Sequence, residues 1–257
     1  MILFASDLDN TLIYSYKHEI GNEKICVEIY QNREVSFMTE QSYQLLQQIK
    51  KQVLFVPITT RTLEQYQRID LGFLPDYALV SNGGVLLQHG KEDAAWYEES
   101  LTSVLDCQTE LKKAEYYLEK DENRNFEIRN IRSLFLFTKS RKPQESIQNL
   151  KKFLDLSLVD VFGNGVKVYV VPKKLSKGEA LKRFRMKRKA ETIFAAGDSE
   201  FDIPMLEVAD VSLLPEGLKE KVHARKGLVS FGEEVLFSDA VLKRVLVASS
   251  KERMPVG

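Results

Sequence analysis

Cysteine is nearly absent: Cys26 and Cys107 are the only two in 257 residues. Two lone thiols without metal spacing exclude a disulfide-stapled scaffold and a cysteine-ligated zinc site, and they lead us to expect a reducing compartment, the cytoplasm. The chain also lacks any run of 18 apolar residues, and its N-terminal stretch lacks the basic-then-apolar pattern of a secretion signal, so no membrane partner is expected. Neither sign of charge dominates. Lys+Arg and Asp+Glu are both 37, which argues against nucleic acid or an anionic membrane surface as partner. The one basic cluster, Lys182 to Lys189, suits the C-terminal end of a solvated helix, where cations oppose the helix dipole. No internal repeat or low-complexity tract occurs. What the chain does have is 44% hydrophobic content, enough over this length for a sizeable core in one large domain or in a domain carrying an inserted second unit.

The stretch Phe4-Ala5-Ser6-Asp7-Leu8-Asp9-Asn10-Thr11-Leu12 organises the rest. An apolar strand runs directly into two carboxylates one residue apart, and a chain that bends after Asp7 brings both to one small volume at a sheet edge. Like charges so close call for a cation. A hard divalent ion, Mg2+, suits carboxylate and carbonyl oxygens and leaves positions for a phosphate oxygen. Asp7 is then a candidate nucleophile and Asp9 a candidate acid/base, against the plainer reading of an Asp/Asn-rich turn.

Downstream, Ile25 to Tyr30 and Val35 to Met38 read as a β-hairpin near the Asp7 end. Thr39 is a plausible N-cap for a helix carrying Leu45, Leu46 and Ile49. Val53 to Ile58 and Tyr77 to Val80 are short apolar runs of the kind that form buried parallel strands, ending in Thr59-Thr60-Arg61-Thr62 and Ser81-Asn82-Gly83-Gly84. Three strands would thus end in small polar residues at one sheet edge, where open α/β folds bind ligands. From about 85 to 171 the pattern becomes helix, two strands, helix, two strands with hairpin turns, an antiparallel α+β unit that we read as an insertion. Parallel alternation then resumes. Ser176-Lys177-Gly178-Glu179 fits a capping box with Lys177 at the first helical position, and Thr192 to Ala196 is a strand leading into Gly197-Asp198-Ser199-Glu200-Phe201-Asp202. Ser199 as N-cap with Asp202 three residues on would open the next helix, and Asp198 and Asp202, four apart, would add to the carboxylate cluster.

Four motifs in order, Asp7-Leu8-Asp9-Asn10-Thr11, Thr59-Thr60-Arg61, Lys177 in Ser-Lys-Gly-Glu-Ala-Leu, and Gly197-Asp198-Ser199-x-x-Asp202, resemble those of the haloacid dehalogenase (HAD) superfamily across nearly the whole chain. Ser81-Asn82-Gly83-Gly84 is similar to the signature of its Cof-type, sucrose-phosphatase-like and mannosylglycerate-phosphatase-like branch, which includes phosphomannomutases. The resemblance implies an α/β fold with a Rossmann-like parallel-sheet core, residues 1–84 and 172–257, and an inserted α+β cap, residues 85–171, that selects substrate. It implies a Mg2+-dependent phosphatase that hydrolyses a small phosphorylated metabolite, such as a sugar phosphate, with a phosphomutase or a catalytically idle binding module as alternatives. Asp7 would form an aspartyl-phosphate, and Asp9 would protonate the leaving alcohol and then activate water. Thr59 and Lys177 would assist the transferring phosphoryl group, Thr60, Arg61, Asn82 and Gly83 would contact phosphate or substrate, and Asp7, the Asp9 carbonyl, Asp198 and Asp202 would form the metal site, Asp202 in its outer shell or orienting Lys177. Such parts suit phosphoryl transfer, which depends mostly on positioning and charge neutralisation. Two departures stand out: Phe201 replaces the asparagine of many relatives, and Thr60 replaces a glycine. Arg129, Arg132, Lys139, Asn164 and Lys167 are the candidate substrate readers in the cap.

Overall fold

A computed structural model describes residues 1–224 and 226–251. Residues 252–257, assigned to the core from sequence, lie outside the described residues. Five parallel strands form the central sheet in the spatial order Gly227–Phe231, Val211–Pro215, Thr192–Ala196, Ile2–Ser6, Leu54–Pro57. The first strand sits inside the sheet, and Leu3, Phe4 and Ala5 are fully buried, as expected of a strand covered on both faces. From Ile2–Ser6 the chain goes first to Leu54–Pro57 on one side and later to Thr192–Ala196 on the other. That reversal puts a topological switch point at the carboxyl ends of Ile2–Ser6 and Thr192–Ala196, the place where such sheets bind ligands. Register aligns the strand ends: Ser6 pairs with both Ala196 and Pro57, so Asp7, Gly197 and Ile58 leave the sheet at one level.

The hairpin of Lys24–Tyr30 with Arg33–Thr39 forms as expected, and Thr39 caps the helix Glu40–Ile49 by accepting from the Ser42 amide at 2.9 Å. Tyr77–Val80 departs from expectation. It meets the strand region before Thr59 at a single parallel bridge, Ile58 to Leu79, and otherwise pairs antiparallel with Val85–Gln88, which in turn pairs with Lys91–Glu92. The sequence hid this because a four-residue fully buried strand looks alike in parallel and antiparallel pairing.

The chain divides into two compact units, 1–93 with 177–257, and 94–176. The first boundary comes after residue 85 because Val85–Gln88 pairs back onto Tyr77–Val80. The second unit has a four-stranded antiparallel sheet, Val159–Asn164, Lys167–Pro172, Phe135–Lys139, Arg129–Ile131, with helices Ala94–Ser103, Gln108–Glu119 and Pro143–Phe153. Leu111 and Leu118 pack with Leu136, Ile147, Leu150, Val161, Val168 and Val170 in its core.

The helix Lys177–Arg188 passes so close to the helix Ile203–Val208 that a Cβ on Gly178 would lie 2.3 Å from the Pro204 carbonyl oxygen. A backbone neighbour cannot turn aside, so this glycine is needed for close approach, not for an unusual dihedral. Gly178→Ala is expected to cost about 1–3 kcal/mol through overpacking, although alanine is the better helix former. Urea unfolding checks this: an unchanged or raised midpoint would contradict the close approach.

Candidate active site

Asp7 is anchored by its own amide, which donates to the Ala196 carbonyl at 2.9 Å, one step beyond the last strand pair. The chain then turns sharply: Leu12 and Ile13 amides both donate to the Leu8 carbonyl at 2.9 Å, and Asn10 adopts a left-handed φ of +58°. Asparagine tolerates that region better than most residues. The turn is held apolar side inward by Leu8, Leu12 and Ile13, all fully buried. Asp7, 7% exposed, is thereby fixed at the switch point.

Lys177 enters from the first position of its helix, 1% exposed. Its Nζ lies 2.8 Å from Asp7 Oδ1 and 2.5 Å from Asp202 Oδ1. Asp202 Oδ2 accepts from the Asp198 amide at 3.1 Å, the Ser199 amide at 3.0 Å and the Ser199 hydroxyl at 2.8 Å. The expected roles of Ser199 and Asp202 are therefore reversed: the aspartate organises the turn, and the helix begins at Ile203. An ionised carboxylate can accept several bonds where a serine hydroxyl accepts fewer. Thr11, assigned no role beforehand, donates its hydroxyl to Asp198 Oδ1 at 2.9 Å; its place in the Asp7-Leu8-Asp9-Asn10-Thr11 motif was the available signal.

Carboxylate oxygens of Asp7, Asp198 and Asp202 lie within 4.8 Å of one another. The donors are hard oxygens, as Mg2+ prefers, and one ammonium cannot balance three such charges. Both Asp202 oxygens are committed to protein hydrogen bonds, so Asp7 and Asp198 are the two with capacity for an ion. Burial is the largest influence on Asp7 and drives its carboxyl well above its ordinary pKa; Lys177 opposes this, and Asp202, Asp9 and Asp198 add to it. Asp198 is pushed up to about 6, chiefly by burial and then by Asp202, with Thr11 opposing. Burial alone would lower Lys177, but Asp202 and Asp7 raise it, so it stays charged.

Asp9 faces a different partner. Arg61 Nε donates to its Oδ2 at 2.8 Å and Nη2 to its Oδ1 at 2.7 Å, while Nη1 and Nη2 reach Glu28 Oε1 and Oε2 at 2.9 and 3.0 Å. Nη1 also donates to the Gln65 carbonyl at 3.4 Å. The five N–H groups of the Arg61 guanidinium are thus all used within the chain. Thr59 is fully buried and its Oγ1 accepts from the Arg61 amide at 3.1 Å, while Thr60 is half-buried. Asn82 and Gly83 lie in a turn in which Ser81, Asn82 and Gly83 have φ of +52°, +57° and +87°. Such a run is strained for the two non-glycine residues. It is secured because Ser81 and Asn82 amides donate to the Arg61 and Thr59 carbonyls at 2.7 and 2.9 Å. The turn braces the Thr59 loop through backbone bonds.

The cluster has a measurable pH signature. The folded metal-free chain holds the Asp198 proton more tightly than the unfolded chain does, so ionising Asp198 opposes folding. Stability contributed by the protonated form is lost as pH rises from about 4 to about 6. Asp198→Asn is accordingly expected to raise the metal-free melting temperature at pH 8 by a few degrees, with roughly 2–4 °C per kcal/mol for a chain of this size, and to lose most of the stabilisation that added Mg2+ brings. Calorimetry with and without Mg2+ tests both signs; a lower metal-free midpoint would contradict the repulsive cluster.

A family model for the haloacid dehalogenase-like hydrolases matches residues 76–214. A phosphoglycolate phosphatase of Sulfurisphaera tokodaii is 23% identical over 200 residues, covering 75% of this chain and 79% of that relative. In fold, the chain is similar to the Synechocystis sucrose-phosphatase solved with sucrose and phosphate, with a TM-score of 0.60 at 16% identity over 97% of this chain and 98% of that one. The C-terminal domain of the Candida albicans trehalose-6-phosphate phosphatase gives a TM-score of 0.59 at 14% identity, covering 97% and 92%. The matched family segment contains Lys177, Asp198 and Asp202, the ammonium and two of the three carboxylates that meet at the switch point. The chain belongs to the haloacid dehalogenase-like hydrolase family.

Proposed function

We propose that the protein is a Mg2+-dependent phosphatase that hydrolyses a small phosphomonoester, a sugar phosphate or a related polar metabolite, through an aspartyl-phosphate on Asp7. The observation that carries this reading is the Lys177 ammonium held 2.8 Å from Asp7 and 2.5 Å from Asp202 beside Asp198. A carboxylate placed beside a fixed ammonium and a metal site has what a phosphoryl acceptor needs: orientation, and countercharge for the oxygens of the group it receives. The phosphatases among the relatives support the substrate class.

In this reading an Asp7 oxygen attacks phosphorus while the ester P–O bond breaks, its electron pair passing to the leaving oxygen, which takes a proton from the carboxylic-acid form of Asp9 and leaves Asp9 as a carboxylate. Asp9 then removes a proton from water as that water attacks phosphorus, and the bond from phosphorus to Asp7 breaks to free phosphate. Lys177 neutralises charge on the phosphoryl oxygens, and Thr59 donates its hydroxyl to one of them. The carboxylates of Asp7 and Asp198 and the Asp9 backbone carbonyl would hold Mg2+, which would supply further neutralisation of the transferring group. Asp202 acts by orienting Lys177, since its oxygens are already taken. We assign choice among phosphomonoesters to the inserted unit, residues 94–176, and the site of action to the cytoplasm, with which the free thiols of Cys26 and Cys107 agree.

Asp7→Asn removes the covalent route and is expected to abolish turnover. Asp9→Asn keeps the nucleophile and the backbone carbonyl and loses only proton transfer, typically worth about 10²–10⁴-fold, so weak activity should survive with p-nitrophenyl phosphate, whose leaving group hardly needs a proton. Rapid quench should find base-labile phosphate on an Asp7 peptide, longer-lived in Asp9→Asn. Equal turnover by the two variants, or no label on Asp7, would sink the assignment. Replacing residues 94–176 by a short flexible linker should leave a folded core that binds Mg2+ but discriminates poorly among phosphate esters. A metabolite panel read before and after reports this, and unchanged selectivity would return the choice of substrate to the core.

A further inference from the structure

Glu28 is a buried carboxylate outside the metal cluster, and its hairpin alone does not explain that burial. Its strand, Lys24–Tyr30, slips register against Arg33–Thr39 between Cys26 and Glu28 and again between Glu28 and Ile29. Irregularities of this kind re-aim a side chain, and the contrast with its neighbour is large: Ile29 is 61% exposed and Glu28 3%. Burying an ionised carboxylate costs several kcal/mol unless charges and hydrogen bonds compensate it. Here four bonds from three side chains do so. The Ser36 hydroxyl donates to Oε2 at 2.6 Å, Arg61 donates to both oxygens at 2.9 and 3.0 Å, and Arg68 Nε donates to Oε1 at 3.0 Å. Arg68 is itself seated over the Tyr30 ring, 4.3 Å from its centroid. Glu28 is held ionised: burial would raise it, but Arg61, Ser36 and Arg68 outweigh that and lower it.

Arg61 is planar, and its two edges face two carboxylates: Nη1 and Nη2 meet Glu28, Nε and Nη2 meet Asp9. A rigid fork fixed along one edge fixes whatever is bound along the other. Asp9 is 47% exposed in its side chain, so packing alone does not fix its rotamer.

We propose that Glu28 is a positioning residue for proton transfer: through Arg61 it holds the Asp9 carboxylate where the leaving oxygen and, later, the attacking water are served. This rests on the phosphatase reading above. Its mark is dependence on the leaving group, because a misplaced acid penalises an alkoxide far more than p-nitrophenolate. In the full chain with Mg2+, Glu28→Gln is expected to lower kcat on an alkyl phosphomonoester about 10- to 100-fold, below the full value of acid/base help. KM should stay within about threefold, and p-nitrophenyl phosphate should lose much less. Its phosphoenzyme should also decay more slowly. A merely structural loss would reduce both substrates alike. If Glu28→Gln does not fold, Ser36→Ala removes one hydrogen bond to Glu28 and should show the same split at about threefold or more. Equal losses on the two substrates, or a change confined to KM, overturn the positioning role. If Asp9→Asn shows the split and the Glu28 and Ser36 variants do not, only this inference fails; if Asp9→Asn lacks it too, the phosphatase reading fails with it.

Discussion

The ammonium of Lys177, buried between Asp7 and Asp202, is the interaction on which the rest of the site depends. Three carboxylates share a few ångströms at the carboxyl ends of two neighbouring strands, and without a cation their repulsion and desolvation would oppose folding. The lysine neutralises part of that charge permanently, and the remaining carboxylate oxygens are hard donors of the kind a divalent ion takes. A cation there would suit the proposed chemistry, in which an incoming phosphoryl group brings more negative charge into the same volume. Several backbone features follow from this geometry. The glycine at 178 lets the lysine-bearing helix approach its neighbour, and the glycine at 197 leaves room for Asp202, whose Cβ would otherwise lie 2.3 Å from an added one.

A second network stands beside the first and is kept apart by its own counterion. Asp9 follows Asp7 by two residues, yet its carboxylate is gripped by Arg61 and not by Lys177. Two carboxylates that look equivalent in a strand-turn sequence are thus given different electrostatic surroundings, the physical basis for giving them different roles. The strained turn at Ser81 to Gly83 serves this arrangement through two backbone bonds to the Thr59 and Arg61 carbonyls, fixing the loop from which the arginine extends.

Much of this was legible in the chain. Apolar runs ending in small polar residues located the strands at Ile2–Ser6, Leu54–Pro57 and Thr192–Ala196, because hydrophobic burial on both faces leaves an unmistakable run. The spacing of Asp7 and Asp9, the lysine at a helix start and the aspartates at 198 and 202 were each visible as residue type in local context. The pairing partner of Tyr77–Val80 was not, since side-chain pattern does not encode which neighbouring strand arrives first.

The sequence by itself determined the chemical inventory and its order: a parallel α/β core, an inserted α+β unit, carboxylates at strand ends and a lysine at a helix start. Tertiary structure decided who partners whom. Arg61 bridges Asp9 and Glu28; Asp202 organises the turn that Ser199 was expected to cap; and Glu28, 33 residues before Arg61 in the chain, joins this network through an irregular strand. The reason is physical. Hydrophobic periodicity and capping are local and repeat along the chain, whereas a charged group's partner is fixed by distance and angle between segments that meet only after the sheet has set its register.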